Sequence, residues 1–430
     1  MSPATATVTV TNAPAPAAPA PAPAKPTARM ILDHGPLTRA LKITEFGVGA
    51  KSPSEAQRGV FIETGRGRAT LTTFDYETAV SVSVPGRARK GGSLLHFGQL
   101  QKALAAMVAG ETKTQAERTS VSLAGDLLST EHLTVPVAAL EMEEFTRPPE
   151  PVPAMATVDA GEFFAELKRV LPAAGRDDTL PVLTSVHLSL SGQTLTMAAT
   201  DRYRLTEGHV RAEATVRPLD APLSVLFPAD VLVALLKRFT SYDGPVGVGL
   251  LDAASSDIPR ATLSLGDTTV TVRAREGKFP AYSSFFPSEF VASVRMDRAT
   301  LVKAAKKGRA MAQAVGGTHS PVALRWNGEG ALALAPVIGT PAQQARVKGM
   351  AVPFTLDHGT TADVAGMGVH FNPAFLLAAL DAFTGQDTVT LHIRQFEEGQ
   401  SRKPVLLTDD PAAKDSYRHL LMPIRLDPPQ

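Results

Sequence analysis

The chain has no cysteine, which removes disulfides, thiolate nucleophiles, cysteine-bound zinc and iron–sulfur clusters together. Aromatics make up only 6% of its 430 residues, too few for a ladder on which bases stack. Neither sign of charge dominates: 43 basic and 42 acidic side chains leave a formal net charge of +1, unlike a simple basic nucleic-acid binder. No run reaches the ~18 consecutive apolar residues of a membrane span. The first residues show neither the basic n-region nor the apolar stretch of a secretory signal, so a cytoplasmic protein without membrane contact is expected.

At about 150 residues per domain, the length points to two or three domains. From Ala13 to Pro26 the chain is almost purely Ala and Pro. Such a tract buries too little surface to offset the entropy of ordering, so 1–28 is expected to be a disordered tail.

Beyond it, one unit recurs three times. Val60 to Thr73 alternates apolar and polar residues on either side of Gly65-Arg66-Gly67-Arg68. Val186 to Ala199 does so around Ser191-Gly192-Gln193, and Val322 to Leu334 around Asn327-Gly328-Glu329-Gly330. Each reads as a β-hairpin with one buried face. An amphipathic helix follows each hairpin, opening at Phe97, Phe227 and Phe371, which stand 130 and 144 residues apart. Another helix precedes each, over 38–46, 160–170 and 297–313. Further hairpins are expected at Gly125-Asp126 and Gly266-Asp267, with a longer turn near Glu397 to Gln400. Extended segments 145–149 and 279–282 close the first two units. The period exceeds that of a solenoid repeat, so each unit is a domain. The fold class is α+β: three domains of two helices on antiparallel strands, at 29–150, 151–290 and 291–430.

Catalytic constellations are scarce. No two of the ten histidines lie three or four residues apart, so no helix offers paired imidazoles to a metal, and neither metal nor cofactor is expected. Gly47-Val48-Gly49-Ala50-Lys51-Ser52 superficially suggests a phosphate loop, but Ala50 stands where such a loop needs glycine before the lysine. Asp75 and Asp201 occupy equivalent hairpin ends, where a turn-forming role suits them better than acid–base chemistry.

Charge is sorted by element. The six helix windows hold twelve bases and six acids, and the rest of the chain 31 bases and 36 acids. Lys102, Lys168, Arg169, Lys237 and Arg238 belong to this set, with Lys303, Lys306, Lys307 and Arg309. Basic residues near helix C-termini suit the helix dipole. If the helices lie side by side, the same residues make a positive surface for a phosphate backbone.

Leu180-Pro181-Val182-Leu183 and Thr200-Asp201-Arg202-Tyr203-Arg204-Leu205 resemble the middle domain of the bacterial DNA polymerase III beta subunit, the sliding clamp family. Phe279-Pro280-Ala281-Tyr282 resembles its second junction, and Leu420-Leu421-Met422-Pro423-Ile424-Arg425-Leu426 its C-terminus. The resemblance covers about 29–426. It implies a head-to-tail homodimeric ring, lined by helices and threaded by duplex DNA without sequence preference. Such a ring tethers the replicative polymerase, is loaded by a clamp loader, serves other clamp-motif proteins, and works in the nucleoid. It further implies DNA contacts at Arg176, Lys51 and Arg58, besides the helix cations. A partner-peptide pocket would use Leu183, Thr200, Arg202, Tyr203, Arg204, Leu205 and Pro287. Leu420, Met422, Pro423, Ile424, Arg425 and Leu426 would close it. From the residues alone, Met422 and Leu426 better suit the core of a last strand. The chain departs from the family pattern at Lys51 to Arg58, Gly339 to Gln344 and Asp427 to Gln430. That leaves open a divergent paralogue, acting as a partner-binding decoy or tolerating a pocket inhibitor. A hydrolase with unrecognised paired carboxylates is the remaining alternative.

Overall fold

The computed structural model describes residues 27–215, 221–317, 320–327, 330–394, 403–409 and 417–425. Within the expected tail only Thr27 and Ala28 are described. They are already part of the fold, Thr27 bridging Gly92 and Ala28 fully buried. The turn expected at 397–400 and Leu426 fall outside the described residues.

The first repeat runs β1 (Arg29–Asp33), α1 (His34–Thr44), β2 (Gly59–Gly65), β3 (Arg68–Phe74), β4 (Thr78–Pro85), β5 (Arg87–Arg89), β6 (Gly91–His96) and α2 (Phe97–Met107). It ends with α3 (Lys113–Arg118), β7 (Ser120–Ala124), β8 (Leu127–Ser129) and β9 (Thr134–Pro136). The second runs β10 (Ala156–Asp159), α4 (Ala160–Val170), β11 (Ser185–Ser191), β12 (Thr194–Thr200), β13 (Arg204–Ala214) and β14 (Leu223–Pro228). It closes with α5 (Ala229–Arg238), β15 (Pro245–Leu251), β16 (Arg260–Leu265) and β17 (Thr268–Arg273). The third runs β18 (Ala292–Asp297), α6 (Arg298–Met311), β19 (Val322–Trp326), β20 (Ala331–Pro336), α7 (Pro341–Gln344) and β21 (Met350–His358). Then come α8 (Thr361–Val364), β22 (Gly368–Phe371), α9 (Pro373–Asp381), β23 (Thr388–Ile393), β24 (Val405–Thr408) and β25 (Arg418–Leu421).

Local chemistry explains the main elements. Arg66 and Gly67 both take positive φ, 50° and 73°, as a two-residue turn matching strand twist requires. Asp159 and Asp297 cap α4 and α6, their Oδ1 atoms accepting from the amides of Glu162 and Thr300 at 2.9 and 2.6 Å; such caps satisfy otherwise orphaned donors.

Strands that the sequence reading did not place separate each first hairpin from the helix that follows it: β4, β5 and β6, then β13 and β14, then β21 and β22. Two expectations need correction. The turn at Gly125-Asp126 joins β7 to β8, whereas Gly266-Asp267 joins β16 to β17. In pairing, β7 corresponds to β15, because each flanks the repeat's first strand, so the two Gly-Asp turns close different hairpins. A local turn signal carries no information about which neighbour its strands will find. Finally, the segment expected to be extended through Tyr282 is not: Ala281 has φ −72° and ψ 75°, and Tyr282–Phe285 is a 3₁₀ turn.

Pairing crosses the repeats. One sheet runs β6-β2-β3-β4 and continues through β17-β16-β15-β10 to the end of β13. The next runs β14-β11-β12-β13, then β25-β24-β23-β18 and the end of β21. Two partial sheets remain: β22-β19-β20-β21 in the third repeat and β5-β1-β7-β8-β9 in the first. Helices pack on one face, around cores that include Leu37, Leu41 and Leu100 in the first repeat, and Phe163, Phe227, Phe371 and Phe383 in the other two. Linker aromatics cover part of the opposite face, Phe145 over the first junction sheet and Phe279, Tyr282 and Phe286 over the second.

Candidate functional site

At the second junction, the β12–β13 turn is built by side chains acting on backbone. Asp201 Oδ1 accepts from the amides of Tyr203 and Arg204, both at 3.1 Å, and its Oδ2 accepts from Arg204 Nε at 3.0 Å. Thr200 Oγ1 donates to the Arg204 carbonyl at 2.7 Å. The turn holds Arg202 at φ +77°, a conformation uncommon outside glycine. The first repeat builds the same turn, with Asp75 bonding the amides of Glu77 and Thr78 and Tyr76 also at φ +77°. Both carboxylates are therefore occupied by turn amides, the role the sequence favoured over acid–base work.

This turn borders a cleft of about 520 Å³. Leu183, Thr200, Arg202, Tyr203, Arg204 and Leu205 line it from the second repeat, and Leu420 and Met422 from the last strand. Tyr203 and Met422 are largely exposed, and the Met422 amide donates to the Tyr203 carbonyl at 2.8 Å. Not all the implicated residues converge there. Pro287 is not among the lining residues, and neither are Pro423, Ile424 and Arg425. After Met422 the chain turns toward the third repeat, where the Ile424 amide donates to the His370 carbonyl at 2.7 Å. Sequence reasoning missed Pro280, Tyr282, Ser284 and Phe285 from the linker, and Arg394 and Pro404 beside the β23–β24 connection. It also missed Phe375 of α9, whose ring stacks on Tyr203 at 6.0 Å and lies 4.6 Å from the Arg204 guanidinium. The Phe279-Pro280-Ala281-Tyr282 motif was a usable signal for the linker; nothing local marked Arg394 or Phe375.

Beneath the cleft, Glu207 joins both sides of the junction. It accepts from Arg418 of the last strand and from His209 at 3.1 Å. The Arg418 guanidinium also lies over Phe286, 4.1 Å from the ring centre. Burial alone would raise the Glu207 carboxyl, but bonds from His209 and Arg418 outweigh it and bring its pKa down to about 2. Burial pushes the neighbouring Tyr282 hydroxyl up.

The candidate DNA cations divide. Lys51, Lys102, Lys168, Arg176, Lys237, Lys303, Lys306 and Lys307 are exposed, and Arg309 is half-buried. Lys168 and Arg176 share a cleft of about 670 Å³ by α4 and α5, together with Asp178 and Asp230. Arg58, exposed, bonds the Ser52 carbonyl through Nε and Nη2. Two others are spent internally, contrary to their assignment as DNA contacts. Arg169 bonds Glu166, Asp409 and the Ala382 carbonyl and lies over Tyr417 at 4.0 Å. Arg238 bonds the Lys42 carbonyl at 2.7 Å and Glu45 at 3.2 Å. Helix-end position alone does not distinguish a free cation from one that caps a neighbouring helix. Among the described residues no cluster of three or more metal-ligating side chains occurs, and no helix is long and apolar enough to cross a membrane.

Repeats of two helices on antiparallel strands, joined strand to strand across each junction, are the architecture of a clamp subunit. Residues 157–281 match the family described as DNA polymerase III beta subunit, central domain. The beta sliding clamp of Streptomyces coelicolor is 31% identical over 399 residues, 91% of this chain and 97% of that one. The beta sliding clamp homolog GriR of Streptomyces muensis is 28% identical over 377 residues, 85% and 91% of the two chains. Among solved structures, a Bacillus subtilis sliding clamp gives a TM-score of 0.76 at 15% identity, covering 93% of this chain and 100% of that one. A Pseudomonas aeruginosa clamp bound to griselimycin gives 0.75 at 18% identity with the same coverage. The chain belongs to the beta sliding clamp family, whose members are processivity factors rather than enzymes.

Proposed function

We propose that three domains, 29–150, 151–290 and 291–430, pair head to tail with a second copy into a ring around duplex DNA. The observation that carries this reading is the pair of incomplete sheets. At both internal junctions a four-strand group meets the last strand of the next repeat, β4 with β17 and β13 with β25. The β22-β19-β20-β21 group and the β5-β1-β7-β8-β9 group are the same two halves without their partners. A second copy supplies each half with the other. Apolar side chains stand exposed near both: Met311 at the end of α6 and Val315 just after it, Leu127 and Leu133 around β8. Exposed edges and apolar side chains of this kind favour association.

Within such a ring the exposed helix lysines face phosphate without reading bases, since no base-stacking aromatics accompany them. Closure around DNA replaces affinity, so each contact stays weak and exchangeable and the ring slides. The cleft at the second junction suits a peptide with apolar anchors: Met and Leu line it, with arginines on its rim. We assign it to the clamp-binding segments of a replicative polymerase, a clamp loader and other clamp-motif proteins acting at the nucleoid. A second reading, a divergent paralogue of the replicative clamp, draws support from the 28% identity to a protein named a clamp homolog, GriR.

Light scattering tests the ring closure. The wild-type mass should be that of two chains, and Met311→Glu with Val315→Glu should halve it. A wild-type monomer, or a double variant that stays dimeric, would refute the assignment.

A further inference from the structure

We propose that the outer face of the first repeat carries a second polyanion site, a groove for a phosphodiester backbone formed by Arg29, Arg87 and Arg89. It is separate from the helix-lined hole and from the peptide cleft. In the antiparallel register Arg29 stands directly opposite Arg89, and Ile31 opposite Arg87. Arg29 and Ile31 are exposed while Met30 and Leu32 are buried in the core that α1 and α2 cover. The arginines therefore project away from the helices. They border a groove of about 710 Å³ that, among the described residues, no acidic side chain lines. The chain has no acid before Asp33, so its own first residues cannot neutralise them.

The other repeats act as internal controls. Where the first has Ile31 opposite Arg87, the second has Thr157 opposite Glu213, in a groove that also holds Asp159, Glu162 and Arg211. The third has Arg295 opposite Thr355, with Arg295 paired to Asp357 at 2.9 Å. Among the described residues, only the first repeat leaves this groove purely cationic. A charged edge strand by itself is explained by protection against aggregation, and β5 is such an edge. Arg29 is not: β1 lies inside the sheet, paired on both sides. Placing like charges directly opposite one another costs stability, a cost that a bound anion would offset.

The anion's chemistry follows from what accompanies the cations. Arginine forks suit phosphate oxygens bidentately. A protein partner needs buried apolar anchors, and among the described residues Ile31 is the only large exposed apolar side chain in the groove. No aromatic among them lines it, so bases are not read. A nucleic-acid strand outside the ring is the occupant these features favour.

The test is anisotropy of a fluorescein-labelled 20-nucleotide single strand against the full chain across a salt series, with a 20-base-pair duplex run in parallel. Arg87→Ala with Arg89→Ala should weaken single-strand binding about tenfold. Its log–log salt slope should fall by about 1.4, at ~0.7 per lost phosphate contact. Arg87→Lys with Arg89→Lys should keep the slope. Lys303→Ala with Lys306→Ala and Lys307→Ala should leave single-strand binding unchanged but weaken duplex binding. Unfolding midpoints compare the folding of all variants. Unchanged single-strand binding in the Arg87/Arg89 alanine variant would overturn the proposal. So would poly-glutamate binding as tightly as the oligonucleotide with the same loss, which would make this a site for an acidic protein.

Discussion

Arg169 Nε donates to the carbonyl of Ala382 at 2.8 Å, tying the end of α4 to the end of α9 across 213 positions. Arg238 does the same at the first junction, donating to the Lys42 carbonyl and joining α5 to α1. Each junction thus pairs strands on the outer layer and caps a helix end on the inner one. Such a carbonyl cap satisfies a group that a helix terminus otherwise leaves open.

Arg169 also neutralises Glu166 and Asp409, both largely buried. Removing one partner of a buried ionic group strands the others, so Arg169→Ala should cost about 3 kcal/mol. Urea unfolding followed by circular dichroism checks this. A loss under about 1 kcal/mol would show that the network is not a junction clamp.

In the cleft, truncating two apolar liners should remove peptide affinity without touching the sheets. Leu183→Ala with Met422→Ala is expected to weaken a clamp-motif peptide by about 100-fold, at ~1–2 kcal/mol for each central anchor, with dimer mass unchanged. Isothermal titration and light scattering read the two quantities separately. Unchanged affinity would remove the pocket assignment.

Arg202 offers a sharper contrast. Glycine at this position relieves left-handed strain of about 1–2 kcal/mol but adds unfolded-state entropy of comparable size, about 0.4–1 kcal/mol. Arg202→Gly should therefore change stability by less than about 1 kcal/mol. It should still weaken peptides that carry a carboxylate beside their apolar anchors. Tyr76→Gly, at the matching turn of the first repeat, should resemble it in stability and leave peptide binding alone. A parallel loss of peptide binding in Tyr76→Gly would mean that the turn, not the rim cation, sets affinity.

Acid should unfold the protein in two stages. Burial lowers the His392 pKa from 6.5 to about 4, between hydroxyl partners Ser293 and Thr408, each at 2.8 Å. Its folded pKa lies below the unfolded one, so its contribution is complete above pH 6.5 and is lost toward pH 4, about 1–3 kcal/mol in all. For Glu207, bonds from His209 and Arg418 overcome burial and depress the pKa from 4.5 to about 2. Its contribution is complete above pH 4.5 and is lost below it. Urea midpoints measured from pH 8 to pH 3 should be level above about 6.5, then fall. His392→Gln should make the limb between 6.5 and 4 shallower without abolishing it, because burial depresses His187 and His419 as well; an unchanged limb would contradict the burial argument.

Much of this was legible in the sequence, for reasons that differ by element. Two-residue turns such as Arg66-Gly67 carry their own conformational demand, so the first hairpins could be placed. Thr78 to Val84 alternates just as plainly, but β4 and its counterpart β13 also pair across repeats, which alternation alone does not reveal. Asp201 could be read because its chemistry is local, in the turn it builds. Arg394 reaches the cleft, and Phe375 packs on its liners Tyr203 and Arg204, only through tertiary packing. Arg169 and Arg238 looked like free helix-end cations because their carbonyl partners lie in another repeat.

The central claim is topological, and one measurement addresses it directly. The protein would be loaded by a clamp loader onto nicked circular DNA, separated by gel filtration, and followed before and after the circle is cut once. The account predicts retention on the intact circle and loss within minutes of linearisation, at salt high enough to screen individual phosphate contacts. Retention unaffected by the cut, or release from the uncut circle at that salt, would contradict a closed sliding ring.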